Sequence, residues 1–137
     1  MGDAESGRHH WVLVADRDGS AARLLGDLIR RLGLRAYHTT RGDEALRVAE
    51  AQPMRLAIID VALQDMAGPE LARRLRTLDP ALPVVMTTGD FRPEVEVQAR
   101  EAGIVHYAHK PLDDGRLEAV LRKILDGARP VGTPALS

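Results

Sequence analysis

Five short apolar runs alternate along the chain with longer segments in which apolar residues recur every three or four positions. The runs are of strand length, and most are rich in β-branched or aromatic side chains. They span residues 11–15, 34–39, 56–59, 83–88 and 104–108. The pattern predicts five β-strands, and the middle runs are apolar throughout, as in strands that are covered on both faces.

The segments that follow these runs have the period of a helix with one apolar face. Four of them are regular and span 24–32, 45–49, 71–78 and 117–125, whereas the segment 92–102 matches only in part and predicts a weaker helix. Gly33 and Gly103 stand where C-terminal caps are expected, and Asp18, Asp113 and Asp114 can cap helix starts. The alternation predicts an α/β fold of the (βα)5 type, with right-handed crossovers and one parallel sheet.

Length and composition limit the classes of function. The chain has 137 residues, of which 45% are hydrophobic and 28% charged, and this predicts one globular domain over residues 11–126. We expect a disordered N-terminal tail over 1–10 and a C-terminal tail or linker over 127–137. A net charge of −1 and 3% aromatic residues argue against nucleic-acid binding. The chain has no cysteine and no apolar run of membrane-spanning length, so we expect a cytoplasmic protein without thiolate chemistry and without membrane contact.

Polar side chains collect where the predicted strands end. Asp16 follows the first strand, Asp60 the third and Lys110 the fifth, while the fourth ends in Thr87 and Thr88. In an open parallel sheet, ligands bind at the edge formed by the carboxyl ends of the strands. Carboxylate oxygens suit a hard cation such as Mg²⁺, and a hydroxyl and an ammonium suit phosphoryl oxygens. A carboxylate can also be the nucleophile that accepts a phosphoryl group.

At these residues the chain resembles the receiver domain of response regulators in two-component signalling, over residues 11–125. The resemblance implies a doubly wound, flavodoxin-like fold with a five-stranded parallel sheet of order 2-1-3-4-5. It implies that Asp60 is the phosphoacceptor and that Thr88 and Lys110 bind the phosphoryl oxygens. It also implies that Tyr107 is the aromatic switch residue and that the peptide bond between Lys110 and Pro111 is cis.

The resemblance further implies a cofactor and partners. Mg²⁺ would be held by Asp16, Asp60 and the backbone carbonyl of Ala62. A histidine kinase or histidine phosphotransfer protein would donate the phosphoryl group and would contact mainly the first helix, near residues 24–32. The output would be altered binding to a partner that the sequence does not identify, and the domain itself would not be an enzyme. Since 12 residues follow Leu125, we expect a stand-alone regulator or a receiver cut from a larger protein.

Three positions depart from the family pattern. The family closes its first strand with two adjacent acidic residues; Asp16 matches the first, but Arg17 stands where the direct Mg²⁺ ligand is expected. Gln64 and Ala67 replace a proline and an aspartate of the loop that follows the phosphoacceptor, while Gly68 is retained. A guanidinium cannot ligate a cation and repels one, so the affinity for Mg²⁺ should fall.

Three interpretations of Arg17 remain open. In the first, its side chain turns to solvent, and Mg²⁺ binding and phosphorylation survive. In the second, Asp18 replaces the missing ligand instead of only capping the first helix. In the third, Arg17 occupies the metal position, and the domain is a pseudo-receiver, an interaction module that works without phosphorylation. A small nucleotide or flavin binder is disfavoured because the strand-to-helix turns lack a phosphate cradle rich in glycine or hydroxyl groups.

Overall fold

The computed structural model describes residues 10–127, over which five strands and five helices alternate. The strands are β1 (Trp11–Ala15), β2 (Arg35–Thr39), β3 (Leu56–Asp60), β4 (Val84–Thr88) and β5 (His106–His109). The helices are α1 (Gly19–Arg31), α2 (Gly42–Ala51), α3 (Gly68–Leu78), α4 (Pro93–Glu101) and α5 (Asp114–Gly127). The predicted tails, 1–10 and 127–137, lie outside the described residues except for His10 and Gly127. Within 10–127, no helix combines the length and apolar character needed to cross a bilayer.

All five strands are parallel and form one sheet in the order β2-β1-β3-β4-β5. This is the predicted α/β class and the predicted strand order. β1 lies between β2 and β3, so the direction in which successive strands are added reverses beside it. Ligand sites of doubly wound sheets lie at such a reversal, outside the carboxyl ends of the strands. Asp16 and Asp60 lie at these ends of the neighbouring strands β1 and β3.

The helices cover the sheet on both faces and bury two apolar cores. Side chains alternate along β1, since Val12 and Val14 pack with residues of α1 and α5, whereas Leu13 and Ala15 pack with residues of α2, α3 and α4. β4 has no solvent-exposed residue, and β3 is buried up to Asp60. The two cores together explain why the middle runs are apolar without alternation.

Five strand boundaries differ from the predicted runs by one or two residues: β2 begins at Arg35, β3 ends at Asp60, β4 begins at Val84, and β5 runs from His106 to His109. The N–H of Leu34 donates to the carbonyl of Ile29 at 3.0 Å, and Gly33 (φ 80°) closes α1, so β2 begins one residue later than expected. Gly103 (φ 86°) follows α4, its N–H donating to the carbonyl of Arg100 at 3.0 Å, and β5 begins at His106. The weaker helix is present as α4; Ala99 is its buried residue, which explains the irregular apolar period.

Candidate functional site

An open cavity of about 440 Å³ lies at the carboxyl edge of the sheet. Its lining comes from the end of β3 and from the loops that follow β1, β3, β4 and β5. The lining residues are Arg17, Asp18, Asp60, Val61, Ala62, Gly89, Asp90 and Lys110. The cavity therefore contains the predicted phosphoacceptor, the predicted lysine and the unexpected arginine.

Lys110 joins the two aspartates that the sequence predicted to lie together. Its Nζ donates to Oδ2 of Asp60 at 2.5 Å and to Oδ1 of Asp16 at 2.9 Å. Burial acts to lower the pKa of Lys110, but the hydrogen bonds to Asp60 and Asp16 outweigh it and raise the pKa above its usual value. The Lys110–Pro111 peptide bond is cis, as the resemblance implied. At neutral pH the site therefore holds one fixed ammonium between two carboxyl groups.

Asp16 is buried beside Lys110 and does not itself line the cavity. Only 1% of the residue is exposed, and burial raises the pKa of its carboxyl group. Its Oδ1 accepts hydrogen bonds from Lys110 and, at 2.7 Å, from the backbone N–H of Asp18. Its Oδ2 is buried and has no hydrogen-bond partner among the described residues. An acceptor left unpaired in this way has unused capacity for a cation.

Asp60 is held by its own loop as well as by Lys110. Its Oδ1 accepts from the backbone N–H of Ala62 at 2.8 Å, and 13% of its side chain is exposed. The N–H of Gly68 donates to the carbonyl of Val61 at 2.7 Å, so the start of α3 lies directly against this backbone. The carboxylate is thus oriented by the loop and remains reachable from the cavity.

Asp65 orients the same loop and was missed by the sequence analysis. Its Oδ1 and Oδ2 accept from the backbone N–H groups of Gly42 at 2.6 Å and Asp43 at 2.9 Å. These N–H groups begin α2, whose own N-cap residue, Arg41, makes no side-chain capping bond. The available signal was the absence of a capping residue before α2, but the partner lies more than 20 residues away along the chain.

Replacing Asp65 with alanine should lower the free energy of unfolding by about 1–2 kcal/mol, because two N–H groups at the start of α2 lose their acceptor. Asp65→Asn retains one acceptor oxygen and should lose less. Urea denaturation of both variants and of wild type measures the difference. Equal stability of Asp65→Ala and wild type would show that this cap contributes nothing.

Arg17 does not occupy the position between the aspartates. Its side chain is exposed at the cavity wall and makes no ion pair or hydrogen bond with any residue in the described range. The cation that contacts Asp16 and Asp60 is Lys110. The contacts of the described residues therefore give no support to the interpretation in which Arg17 takes the metal position.

Thr88 and Tyr107 lie beside the cavity but do not contact Asp60. The hydroxyl of Thr88 is buried and bonded to Asp90, accepting from its N–H at 2.8 Å and donating to its carbonyl at 3.2 Å. Burial raises the pKa of Tyr107, whose ring is turned inward. The nearby Thr88 hydroxyl partly offsets this rise in the pKa of Tyr107. The Tyr107 hydroxyl nevertheless has no hydrogen-bond partner among the described residues. Within residues 10–127, neither predicted switch residue makes a hydrogen bond with Asp60.

The oxygen atoms of the site decide whether Mg²⁺ can bind there. Within residues 10–127, no three acidic, histidine or cysteine side chains are already grouped as a metal site. Mg²⁺ does not require such a group, because it commonly keeps several waters and binds through one or two carboxylates plus phosphate oxygens. Asp60 lies on the cavity wall, and Asp16 has a buried, unpaired oxygen. The residues present therefore fit the cation.

A doubly wound (βα)5 sheet whose carboxyl edge holds acidic residues and one lysine defines a signalling receiver. The chain belongs to the response regulator receiver domain family, which matches it over residues 12–122. Domains of this family switch by phosphorylation and bind Mg²⁺ at the phosphorylation site. The predicted family and fold are confirmed.

Two similar proteins are transcriptional regulatory proteins by name. Transcriptional regulatory protein ZraR of Salmonella typhimurium is 32% identical over 121 residues, which are 88% of this chain and 27% of that protein. The alkaline phosphatase synthesis transcriptional regulatory protein PhoP of Bacillus subtilis is 30% identical over 116 residues, 82% of this chain and 48% of that protein. The chain thus spans between about a quarter and a half of the length of these two relatives.

Two solved structures share the fold over nearly their whole length. A CheY-like receiver domain protein from Methanospirillum hungatei superposes with a TM-score of 0.81 at 26% identity, covering 88% of this chain and 96% of that one. A putative response regulator from Chloroflexus aurantiacus superposes with a TM-score of 0.80 at 28% identity, covering 87% and 99%.

Proposed function

We propose that Asp60 accepts a phosphoryl group from the phosphohistidine of a histidine kinase or histidine phosphotransfer protein. The observation that carries the proposal is the contact of Asp60 with Lys110 at the wall of an open cavity. A carboxylate oxygen of Asp60 would form the new P–O bond while the P–N bond to the donor imidazole breaks and its nitrogen leaves with the bonding pair. The domain is in this scheme the acceptor and not an enzyme acting on another substrate.

Lys110 and Thr88 would bind the oxygens of the new phosphoryl group. Lys110 already contacts Asp60, so its ammonium needs only to transfer a hydrogen bond from the carboxylate to a phosphoryl oxygen. Mg²⁺, when bound by Asp16, Asp60 and the carbonyl of Ala62, would neutralise charge on the phosphoryl oxygens. Asp16 orients Lys110 from below, and it holds the backbone of the loop after β1 through the N–H of Asp18.

The output would follow from exchange of the hydrogen bonds of Thr88. Its hydroxyl is now engaged by Asp90, and turning toward a phosphoryl group on Asp60 would break both bonds at the β4–α4 turn. Tyr107 lies next to Thr88 and makes an edge contact with His109, so its ring can repack in response. The surface formed by α4, β5 and α5 would then change its affinity for an output partner. We further propose that α1 contacts the phosphodonor and that the protein acts in the cytoplasm.

The test is the intact mass of the purified protein after incubation with acetyl phosphate, with and without Mg²⁺. Wild type should gain one phosphoryl group in the presence of Mg²⁺, and Asp60→Asn should gain none. Asp126→Asn, an exposed carboxylate on α5 outside the cavity lining, serves as the matched control and should be modified like wild type. A wild type that stays unmodified, or an Asp60→Asn variant that is still modified, would refute the assignment.

A further inference from the structure

Asp18 is the acidic residue of the cavity lining to which the proposed function gives no role. The other acidic lining residues are Asp60, which is the proposed phosphoacceptor, and Asp90. Hydrogen bonds from Arg92, at 3.0 Å from Nε and 2.6 Å from Nη2, hold the pKa of Asp90 at about 2, so that carboxylate is already paired. Asp18 instead has 48% of its side chain exposed and one oxygen directed to the site.

The two oxygens of Asp18 serve different neighbours. Oδ1 caps α1 by accepting from the backbone N–H of Ser20 at 2.9 Å and, more weakly, from that of Ala21 at 3.4 Å. Oδ2 lies 3.8 Å from Nζ of Lys110, the ammonium that also contacts Asp16 and Asp60. Capping therefore engages one oxygen of Asp18 and leaves the other facing the phosphoacceptor site.

The backbone of Asp18 is tied to the site through Asp16. Asp18 has an extended conformation (φ −90°, ψ 110°), and its N–H is tied to Oδ1 of Asp16. Asp16 and Asp18 both lie within ion-pair distance of Lys110, whereas the side chain of Arg17 is exposed.

The charges at the site leave room for a further cation. Three carboxylates, those of Asp16, Asp18 and Asp60, lie around the ammonium of Lys110, and the exposed guanidinium of Arg17 is the other positive charge on the cavity lining. One of the buried oxygens, Oδ2 of Asp16, has no hydrogen-bond partner in the described part of the chain. A divalent ion would balance the remaining negative charge and give that oxygen a partner, directly or through bound water.

We propose that Asp18 takes the place of the acidic residue displaced by Arg17 and is the third carboxylate that holds Mg²⁺. The proposal deepens the proposed function and rests on it. Asp18 would then both cap α1 and bind the cation. Cation binding would therefore also order the first turn of that helix.

The test is calorimetric titration of Mg²⁺ into the unphosphorylated chain at physiological ionic strength. Asp18→Asn keeps an oxygen that caps α1, since asparagine is as good an N-cap as aspartate, but removes the charge. We expect its Kd for Mg²⁺ to be weaker than that of wild type by about tenfold or more. Asp113→Asn is the matched control. Asp113 caps α5 in the same way, since its Oδ1 accepts from the backbone N–H of Arg116 at 2.9 Å, and it does not line the cavity.

The outcomes separate this proposal from the assignment of Asp60. An unchanged Kd in Asp18→Asn, or equal losses in Asp18→Asn and Asp113→Asn, would overturn the role of Asp18 while leaving phosphorylation of Asp60 intact. A wild type that binds no Mg²⁺ in the millimolar range would also overturn it. Thermal unfolding of each variant confirms that α1 is retained, and the phosphorylation experiment on Asp60 uses a separate readout, the intact mass.

Discussion

Gly68→Ala should lower the free energy of unfolding by about 3 kcal/mol and slow phosphorylation of Asp60. A Cβ at position 68 would overlap the backbone carbonyl oxygen of Asp60 and lie 2.8 Å from Cα of Val61. Both are backbone atoms, so no side chain can rotate to relieve the overlap, and the end of β3 must move. Because Asp60 ends that strand, the displacement reaches the phosphoacceptor itself.

Thermal unfolding should show this loss as a melting temperature lower by roughly 10 °C. The control is Gly26→Ala in the interior of α1, where a Cβ would meet no atom within 4 Å. That variant should be more stable by about 0.5–1 kcal/mol, because alanine is the better helix former. A Gly68→Ala protein with wild-type stability and wild-type phosphorylation rate would contradict the close approach of α3 to β3.

Arg17→Asp should tighten Mg²⁺ binding by a factor on the order of 30 or more. The substitution replaces a cation at the cavity wall with an anion and supplies an additional carboxylate near Asp16 and Asp60. Arg17 has no partner in the described range, so its removal breaks no contact there. Calorimetric titration with Mg²⁺ measures the effect, and the Mg²⁺ concentration needed for half-maximal phosphorylation by acetyl phosphate should fall in parallel.

Arg23→Asp changes the net charge of the chain by the same amount and is the matched control. Arg23 is exposed on α1 and does not line the cavity, so salt should screen most of its influence. Equal tightening in Arg17→Asp and Arg23→Asp would show that only the net charge matters. No tightening in Arg17→Asp would show that the guanidinium already lies too far from the cation to repel it.

The convergence of Asp16, Asp60 and Lys110 could be predicted from the sequence for a simple geometric reason. Each stands at the end of a strand-length apolar run, and parallel strands all end at one edge. The partner of Asp65 could not be predicted in this way, since the N–H groups that it caps belong to a helix more than 20 residues earlier. The start of β2 was displaced because the turn at Gly33 uses the N–H of Leu34 to cap α1.

Apolar periodicity along the chain was enough to predict the alternation of five strands and five helices, the two covered faces of the sheet and the edge at which acidic and basic residues meet. These follow from apolar periodicity and chain connectivity, which are local properties. Only the tertiary structure decided that Arg17 lies exposed, that the Thr88 hydroxyl bonds to Asp90 and that Asp18 directs one oxygen to Lys110. These depend on side-chain rotamers and on contacts between loops far apart in sequence, because hydrogen bonds and charges compete for the same few atoms.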